Sequence, residues 1–424
     1  MTQRSYWNNM AKTFVGGGAL AQATGWNQGA GVTSFCALSQ NLGGDETYTT
    51  ENYTKDLSMH TMCFSNFTAR IATNTLSTAA TTFRFRKNGA NGNSTVSFAA
   101  GVTGIVTDVA NTDSIVSGDT YNASTVTDAG GTGVCNPSYV GATVESEGSH
   151  LNFFGQYNEV YNLTTASTTE YIPVSGVMVA GVTTENNVKA QIDYACTWHG
   201  LTVNVAANGR GTATTFRSRV NNANGNQTVS FGAGVTGQAQ DASNLDTLAA
   251  GDDVNLSVTT GTGTGTITPA YTATHSMHSA AESNFYSSRA SGIARAASAT
   301  RHFIRLIGSV AAGGVLETTE TKAQVQINIA GTFSKAKIYL SANTYSATAT
   351  YNFRKNGSNG NQTISITAGA TGLLEDTTNS DTVVASDSVV HSIVDGTSGS
   401  ATVQWCGALF TNAAKARTGI IRVL

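Results

Sequence analysis

The chain has 424 residues, of which 12% are charged, with a formal net charge of −3 and only 3 prolines against 45 glycines. Charge is about half the usual ~25%, and no Lys/Arg run occurs, which excludes a nucleic-acid groove. The longest apolar stretch, Pro173–Val182, falls far short of the ~20 residues of a membrane-spanning helix, and low net charge does not fit a disordered chain.

Residues 1–28 show neither strand alternation nor a helix of useful length. Gly16-Gly17-Gly18 and Asn27-Gln28-Gly29 suit a flexible or docking N-terminal arm; a disordered tail is the plain alternative. Ala21-Gln22-Ala23 resembles a signal-peptidase site, but the preceding apolar run is weak and broken by glycine, so no cleaved leader is expected. Three units are then expected, at 29–165, 166–299 and 300–424. Their opening strands are Ser34–Ser39, Tyr171–Gly176 and His302–Gly308. A strand bearing Thr54–Cys63, Val188–Cys196 or Lys322–Gly331 comes next in each.

The division rests on a repeat. FRFRKNGANGN from Phe83 returns as FRSRVNNANGN from Phe216 and as YNFRKNGSNGN from Tyr351. The period is roughly 135 residues, which means tandem domains rather than a solenoid of ~20–50-residue repeats. Each copy reads as a β-hairpin. Phe83/Phe85, Phe216/Ser218 and Tyr351/Phe353 alternate with Arg84/Arg86, Arg217/Arg219 and Asn352/Arg354, the mark of a strand with one buried face. The turns are expected at Asn91-Gly92, Asn224-Gly225 and Asn359-Gly360, where Asn-Gly accepts positive φ. Val96/Phe98, Val229/Phe231 and Ile364/Ile366 point inward on the return strands.

The copies stay in step through Gly-x-Thr-Gly at 101–104, 234–237 and 369–372. Asp108, Asp241 and Asp376 follow, then Asn111-x-Asp113, Asn244-x-Asp246 and Asn379-x-Asp381, then Asp119, Asp252 and Asp387. Beyond these aspartates the copies diverge, at Asp128–Tyr139, 259–271 and 395–400. Loops of different length are expected there, either carrying copy-specific contacts or forming surface insertions. Final strands are expected around Leu151–Phe154, Ser283–Tyr286 and Ala408–Thr411. A further segment, Thr418–Leu424, either completes the third unit as an edge strand or pairs with another chain by strand addition. Many short strands, Gly/Asn turns and no 3.6-residue apolar period predict an all-β protein. The expected architecture is three tandem antiparallel β-sandwiches, jelly-roll-like, arranged with pseudo-threefold symmetry or as a chain of beads.

No catalytic, cofactor-binding or metal-binding residue is assigned. His275 and His278 lack a third ligand, and the recurring aspartates lack the dense spacing of a calcium loop; Asx-turns explain them. No nucleophile elbow, P-loop or dinucleotide fingerprint is present, while a carboxylate pair for glycoside hydrolysis stays open. Five cysteines, Cys36, Cys63, Cys135, Cys196 and Cys406, form no metal spacing, and Gly331 fills the slot of Cys63 and Cys196. No disulfide network is expected, as in a chain that folds in a reducing cytoplasm. Arg86, Arg219 and Arg354 are the candidate partner-contact residues. They form either a ring that grips a partner's carboxylates or cross-strand pairs with an aspartate of their own unit.

The pattern RKNG, NQT-[VI]-S, AG-[VA]-TG, D..N-x-D, [GS]-D resembles modules of tailed-phage structural proteins, such as decoration proteins, tail fibres and appendages. It runs from Phe83 to Asp119 in the first unit, nearly a third of it. The resemblance implies assembly and binding rather than catalysis. The expected function is a non-enzymatic virion structural protein, a capsid decoration or cement protein acting as a fused pseudo-trimer and assembled in the host cytoplasm. Its partners would be other virion proteins (the major capsid protein or tail proteins) and copies of itself, with neither nucleic acid nor membrane. The alternative is a tail fibre, appendage or secreted cell-surface adhesin that binds glycans through its loops.

Overall fold

The repeated hairpins form as antiparallel strand pairs, each turning three residues before the position expected from the sequence. In the first, Arg86 faces Asn91 and Lys87 faces Ala90, so the two-residue turn is Asn88-Gly89. Its φ values of 50° and 79° are those of a type I′ turn. Asn221-Asn222 and Asn356-Gly357 do the same in the other copies. Asn91-Gly92, Asn224-Gly225 and Asn359-Gly360 are therefore not the turns. They lie on the return strands, where Cβ atoms on Gly92, Gly225 and Gly360 would stand 2.4, 2.7 and 2.5 Å from an Oδ1 of Asp113, Asp246 and Asp381. Those glycines admit a carboxylate rather than a bend.

The structure, a computed structural model, describes residues 11–17, 28–36, 54–58, 61–146, 150–158, 162–178, 182–278, 282–297, 300–306, 316–327, 330–384, 387–394, 398–412 and 421–423, with positions 38, 49 and 51. It is all-β. Among these residues the helical pieces are short turns at Glu51, Glu185–Val188 and Glu320–Ala323.

Among the described residues each unit has eight main strands in two facing sheets. In the first unit they are Ala11–Gly17, Thr33–Cys36, Met62–Asn74, Thr81–Lys87, Ala90–Phe98, Gly104–Ile115, Thr120–Thr127 and Val134–Ser146. One sheet runs first, eighth, third, sixth; the other runs second, seventh, fourth, fifth. This wrapped order, first strand beside last, is that of a jelly roll. His150–Asn158 and Glu282–Ala296 open the second and third units, whose sheets repeat the order with the sixth strand split in two. The sandwiches fill with side chains from both sheets: Phe64, Phe67 and Ile71 meet Phe83, Phe85 and Phe98 in the first unit. Leu201 and Val203 meet Phe216 and Phe231 in the second, and Ile338 and Leu340 meet Tyr351 and Ile366 in the third. Phe353, Val96 and Ile364 are buried with them, as the alternation predicts. All five cysteines are buried and none is joined in a disulfide.

This pairing moves the expected boundaries. Residues 11–17, read as part of an arm, pair with Val140–Ser146 along their whole length and supply the first strand. The rest of 1–28 lies outside the described residues, except Gln28. The segment 151–154, expected to end the first unit, pairs with Phe153↔His275 register against Ile267–His278 of the second. Likewise 283–286 pairs with Gly407–Phe410 of the third. Only 147–149 and 279–281 separate the sandwiches, without a glycine-rich or proline-marked linker in the latter. The conspicuous turn signals sit later, inside each unit. The second and third units also share an 11-stranded sheet, because Gly176–Met178 inserts parallel to both His150–Asn158 and Glu282–Ala296. Ile421–Val423 pairs with Val325–Ile327 of the same chain, the edge-strand alternative; 418–420 and 424 lie outside the described residues.

A free arm is dispensable and a first strand is not. Deleting residues 1–17 is expected to split thermal unfolding, with an early transition from the first sandwich; unchanged unfolding would return those residues to the status of an arm.

Candidate functional site

A constellation built in all three units surrounds Arg86, Arg219 and Arg354. The arginine stands at the base of the hairpin, and alternation turns it away from the core. A glutamate meets it from the helical turn before the third strand. Arg86 donates from Nε and one Nη to both oxygens of Glu51, at 2.9 and 3.0 Å. Arg219 does so to Glu185 at 2.8 and 2.9 Å, and Arg354 to Glu320 at 2.9 and 2.8 Å. The other Nη reaches the cross-strand amide oxygen of Asn91, Asn224 or Asn359, each at 2.5 Å. Turn carbonyls of Gly89, Asn222 and Gly357 accept as well. An aromatic ring of the second strand lies under the guanidinium: Phe35 at 5.6 Å, Tyr171 at 5.5 Å and Phe303 at 5.7 Å. The bonds to Glu185 push the Arg219 guanidinium up against the opposing effect of burial.

Each fork is thus committed within its own unit, to a glutamate rather than the expected aspartate. No ring of outward-facing guanidinium groups is built from them. The glutamates escaped the sequence reading because they lie 34 or 35 residues upstream. A trace is present in Glu51-Asn52 with Lys55 and Glu185-Asn186 with Lys189.

The recurring aspartates are bound just as closely. Asp113 accepts the amides of Asn93 and Ser94 at 2.6 and 2.9 Å, and Asp246 and Asp381 accept those of Asn226 and Asn361 at 2.6 and 2.7 Å. Asp108, Asp241 and Asp376 each close an Asx-turn and also accept a return-strand amide, from Thr95, Thr228 or Thr363. Burial alone would raise Asp376, but the side chain and amide of Asn379 and the amides of Thr363 and Thr378 hold it down to about 2. Asp119, Asp252 and Asp387 take the turn asparagines Asn88, Asn221 and Asn356 at 2.7 Å. These are turn and strand locks, and no group of three potential metal ligands occurs among the described residues. His275 is buried beside His199 on the next strand.

The supposedly length-variable loops are nearly equal. They are the connections 128–133, 261–266 and 395–399 between seventh and eighth strands. The remaining residues of those divergent stretches belong to the strands themselves.

Contacts between units repeat in kind. The Tyr271 hydroxyl of the second unit's eighth strand donates to the Lys55 carbonyl of the first. Trp405, at the equivalent position in the third unit, packs with Tyr339 into a cluster holding Ala190, Ile192 and Tyr194 of the second. Arg70, on the first unit's third strand where the third has Tyr339, donates to the Thr321 carbonyl of the third at 3.2 Å. In each case an outer sheet face meets the segment that precedes another unit's third strand.

No family model and no curated protein matches. Similar solved structures include one described as the triple jelly roll fold and turret assembly in an archaeal virus, at 12% identity and TM-score 0.19, covering 97% of this chain and 98% of that one. Another is the infectious bursal disease virus VP2 subviral particle, at 8% identity and TM-score 0.20, covering 96% and 82%. Dimeric latent PorU from Porphyromonas gingivalis is a third, at 7% identity and TM-score 0.22, covering 99% and 33%. Scores this low carry no argument, and the fold rests on the strand pairing.

Two measurements check the site. Arg354→Ala leaves both oxygens of Glu320 without that fork, while Asn359 keeps a bond from Arg301, and is expected to cost about 1.5–3 kcal/mol of stability by denaturant unfolding. The second concerns His391, which is fully buried against Tyr351 and Phe353 with neither ring nitrogen bonded among the described residues. Burial holds it down to about 3, from an ordinary 6.5. The unfolded chain takes up this proton below pH 6.5 and the folded chain refuses it. Stability is therefore full above 6.5 and falls as pH drops towards 3, by at most about 1.4 kcal/mol per pH unit. His391→Leu, which copies Leu256 at the same position of the second unit, is expected to remove that slope; an unchanged slope would place the titration elsewhere.

Proposed function

We propose that this chain is a non-enzymatic structural protein of a virus particle, a capsid decoration or cement protein in which three fused jelly rolls stand where a homotrimer would sit. The observation that carries the reading is the repeated contact between units. The second unit gives its outer sheet face to the first, the third to the second, and the first to the third. Three steps of one kind return to the start, which is the relation among subunits of a cyclic trimer. Fusion in one chain lets the three copies differ while keeping that relation.

The use of the repeated polar residues supports the same reading. The arginines, glutamates and aspartates that recur in all three units hold hairpins and turns, and none is left poised for chemistry. The polar groove beside the first unit's hairpin illustrates this. Lys87 there is held by Asp119 at 2.9 Å, and both Asp113 oxygens are taken by backbone amides. Such a body contributes shape, neutral polar surface and sheet edges. The resemblance of the RKNG-to-Asp segment to phage decoration and tail modules points the same way, and makes the major capsid protein the partner of first choice.

Quantitative mass spectrometry of purified particles tests this. The expected result is hundreds of copies per particle and light scattering of the isolated chain as a monomer. A handful of copies would assign it to a tail appendage, and absence from particles would end the virion reading.

A further inference from the structure

The second and third units meet around a buried amine. Lys337 sits on the third unit's third strand with its side chain fully buried, and its Nζ lies 2.8 Å from Oδ1 of Asp193 in the second unit. Glu375, its cross-strand neighbour, has Oε1 at 3.4 Å. Asp193 is also nearly buried, at 4% side-chain exposure. Aromatic groups close the site: Trp405 stacks on Tyr339 at 6.0 Å and meets the edge of Tyr286 at 5.9 Å, with Tyr194 in the same cluster. Two ions held in such surroundings carry a large desolvation cost that their attraction only partly offsets.

Comparison across the repeat shows that the arrangement is specific to this place. The pair formed by Lys337 and Glu375 is Thr68 with Thr107 in the first unit, at 3.0 Å, and Thr202 with Gln240 in the second, at 2.8 Å. Both neutral pairs bond well. The third unit replaces both members with charged groups, at the point where a third charged group arrives from a neighbouring unit. A fold held by neutral pairs elsewhere does not need this triad for folding.

We propose that Lys337 and Asp193 condense to an intramolecular amide that joins the second and third units covalently, with Glu375 relaying protons. Glu375 accepts a proton from the ammonium, and the amine lone pair attacks Cγ of Asp193. A carbon–nitrogen bond forms, one carbon–oxygen bond breaks, and the leaving oxygen departs as water. Of the three ammonium protons two leave in that water and one stays on the amide. The charges of both ions vanish, no oxidant or co-reactant is required, and Glu375 ends as it began. Near-attack placement in a dry site supplies the driving geometry. Lys335, which reaches Asp193 at 3.4 Å from a more exposed position, offers no comparable enclosure.

Intact-mass spectrometry of the denatured full chain decides the matter. The expected mass is one water below the sequence value, after allowance for the initiator methionine. A digest is expected to yield a branched peptide joining the segments around Asp193 and Lys337. Lys337→Arg is expected to show the full sequence mass. The proposal fails if the unaltered chain has its full mass. It fails equally if the water loss persists in Lys337→Arg, as a cyclic imide at Asp395-Gly396 would make it. Complete linkage in Glu375→Gln would remove Glu375 from the relay.

Discussion

A bidentate bond between an arginine and a glutamate more than thirty residues apart sets the geometry on which the rest of each unit depends. The arginine belongs to a hairpin and the glutamate to the helical turn before the third strand. One guanidinium therefore sets the position of a loop against a sheet, while also filling the hairpin's own turn carbonyl and cross-strand amide. Arg219 holds Glu185; Glu185 opens the turn Glu185–Val188; and that turn delivers Ala190, Ile192 and Asp193 to the third unit. The same route runs from Arg86 through Glu51 to Lys55, and from Arg354 through Glu320 to Thr321. The clamp is internal, yet it positions the surface through which units touch. Its bidentate geometry suits the task, because a fork fixes orientation where a lysine would fix only distance.

Low charge has a structural counterpart in this arrangement. Among the described residues the ion pairs lie inside units or between them, and threonine, serine, asparagine and glycine are abundant in the chain. Sheet edges normally need charge, proline or cover to discourage pairing with other chains. Here the wrapped jelly-roll order pairs the first strand with the eighth, the shared 11-stranded sheet joins two units, and Ile421–Val423 covers Val325–Ile327. Pairing within the chain thus replaces much of the protection that edge charges give elsewhere. The sixth strand remains an edge in each unit, and in the first it carries Ile105 and Val109 on its exposed side.

The legible part of the sequence was the part with a period. Phe83/Phe85, Tyr351/Phe353 and their return partners announce an inward face by strict alternation, and three copies of one string define the unit length. The turn register was not legible, because Asn-Gly occurs twice within five residues, at Asn88-Gly89 and Asn91-Gly92. Only the strand pairing tells a glycine that bends the chain from one that makes room for Asp113. The first strand of each jelly roll was missed for a different cause. Glycines in 11–17 blur its alternation, and the strands at 150–158 and 282–296 follow the preceding unit after three residues, so they read as its end. The glutamates of the clamp were hidden by distance in sequence, although the arginines they hold stood out.

What separates the three copies is as informative as what unites them. Inside the sandwiches differences compensate: Phe85 faces Ala123, Ser218 faces Leu256 and Phe353 faces His391, so a small residue on one strand meets a larger one on the next in two of the three pairs. His391 is tolerated there because it stays neutral and packs as a ring between two others. Such exchanges conserve volume and leave the backbone order untouched. On the outer sheet faces the differences answer to neighbouring units as well as to cross-strand partners such as Glu375. Thr68, Thr202 and Lys337 share a position, as do Arg70, Asn204 and Tyr339, and their partners come from other units where contacts form. A cyclic trimer of identical chains would have to place one residue type in all three of these contacts. Fusion removes that restriction, and the buried Lys337–Asp193 contact is an arrangement that only a chain with three distinct copies can hold at one junction alone.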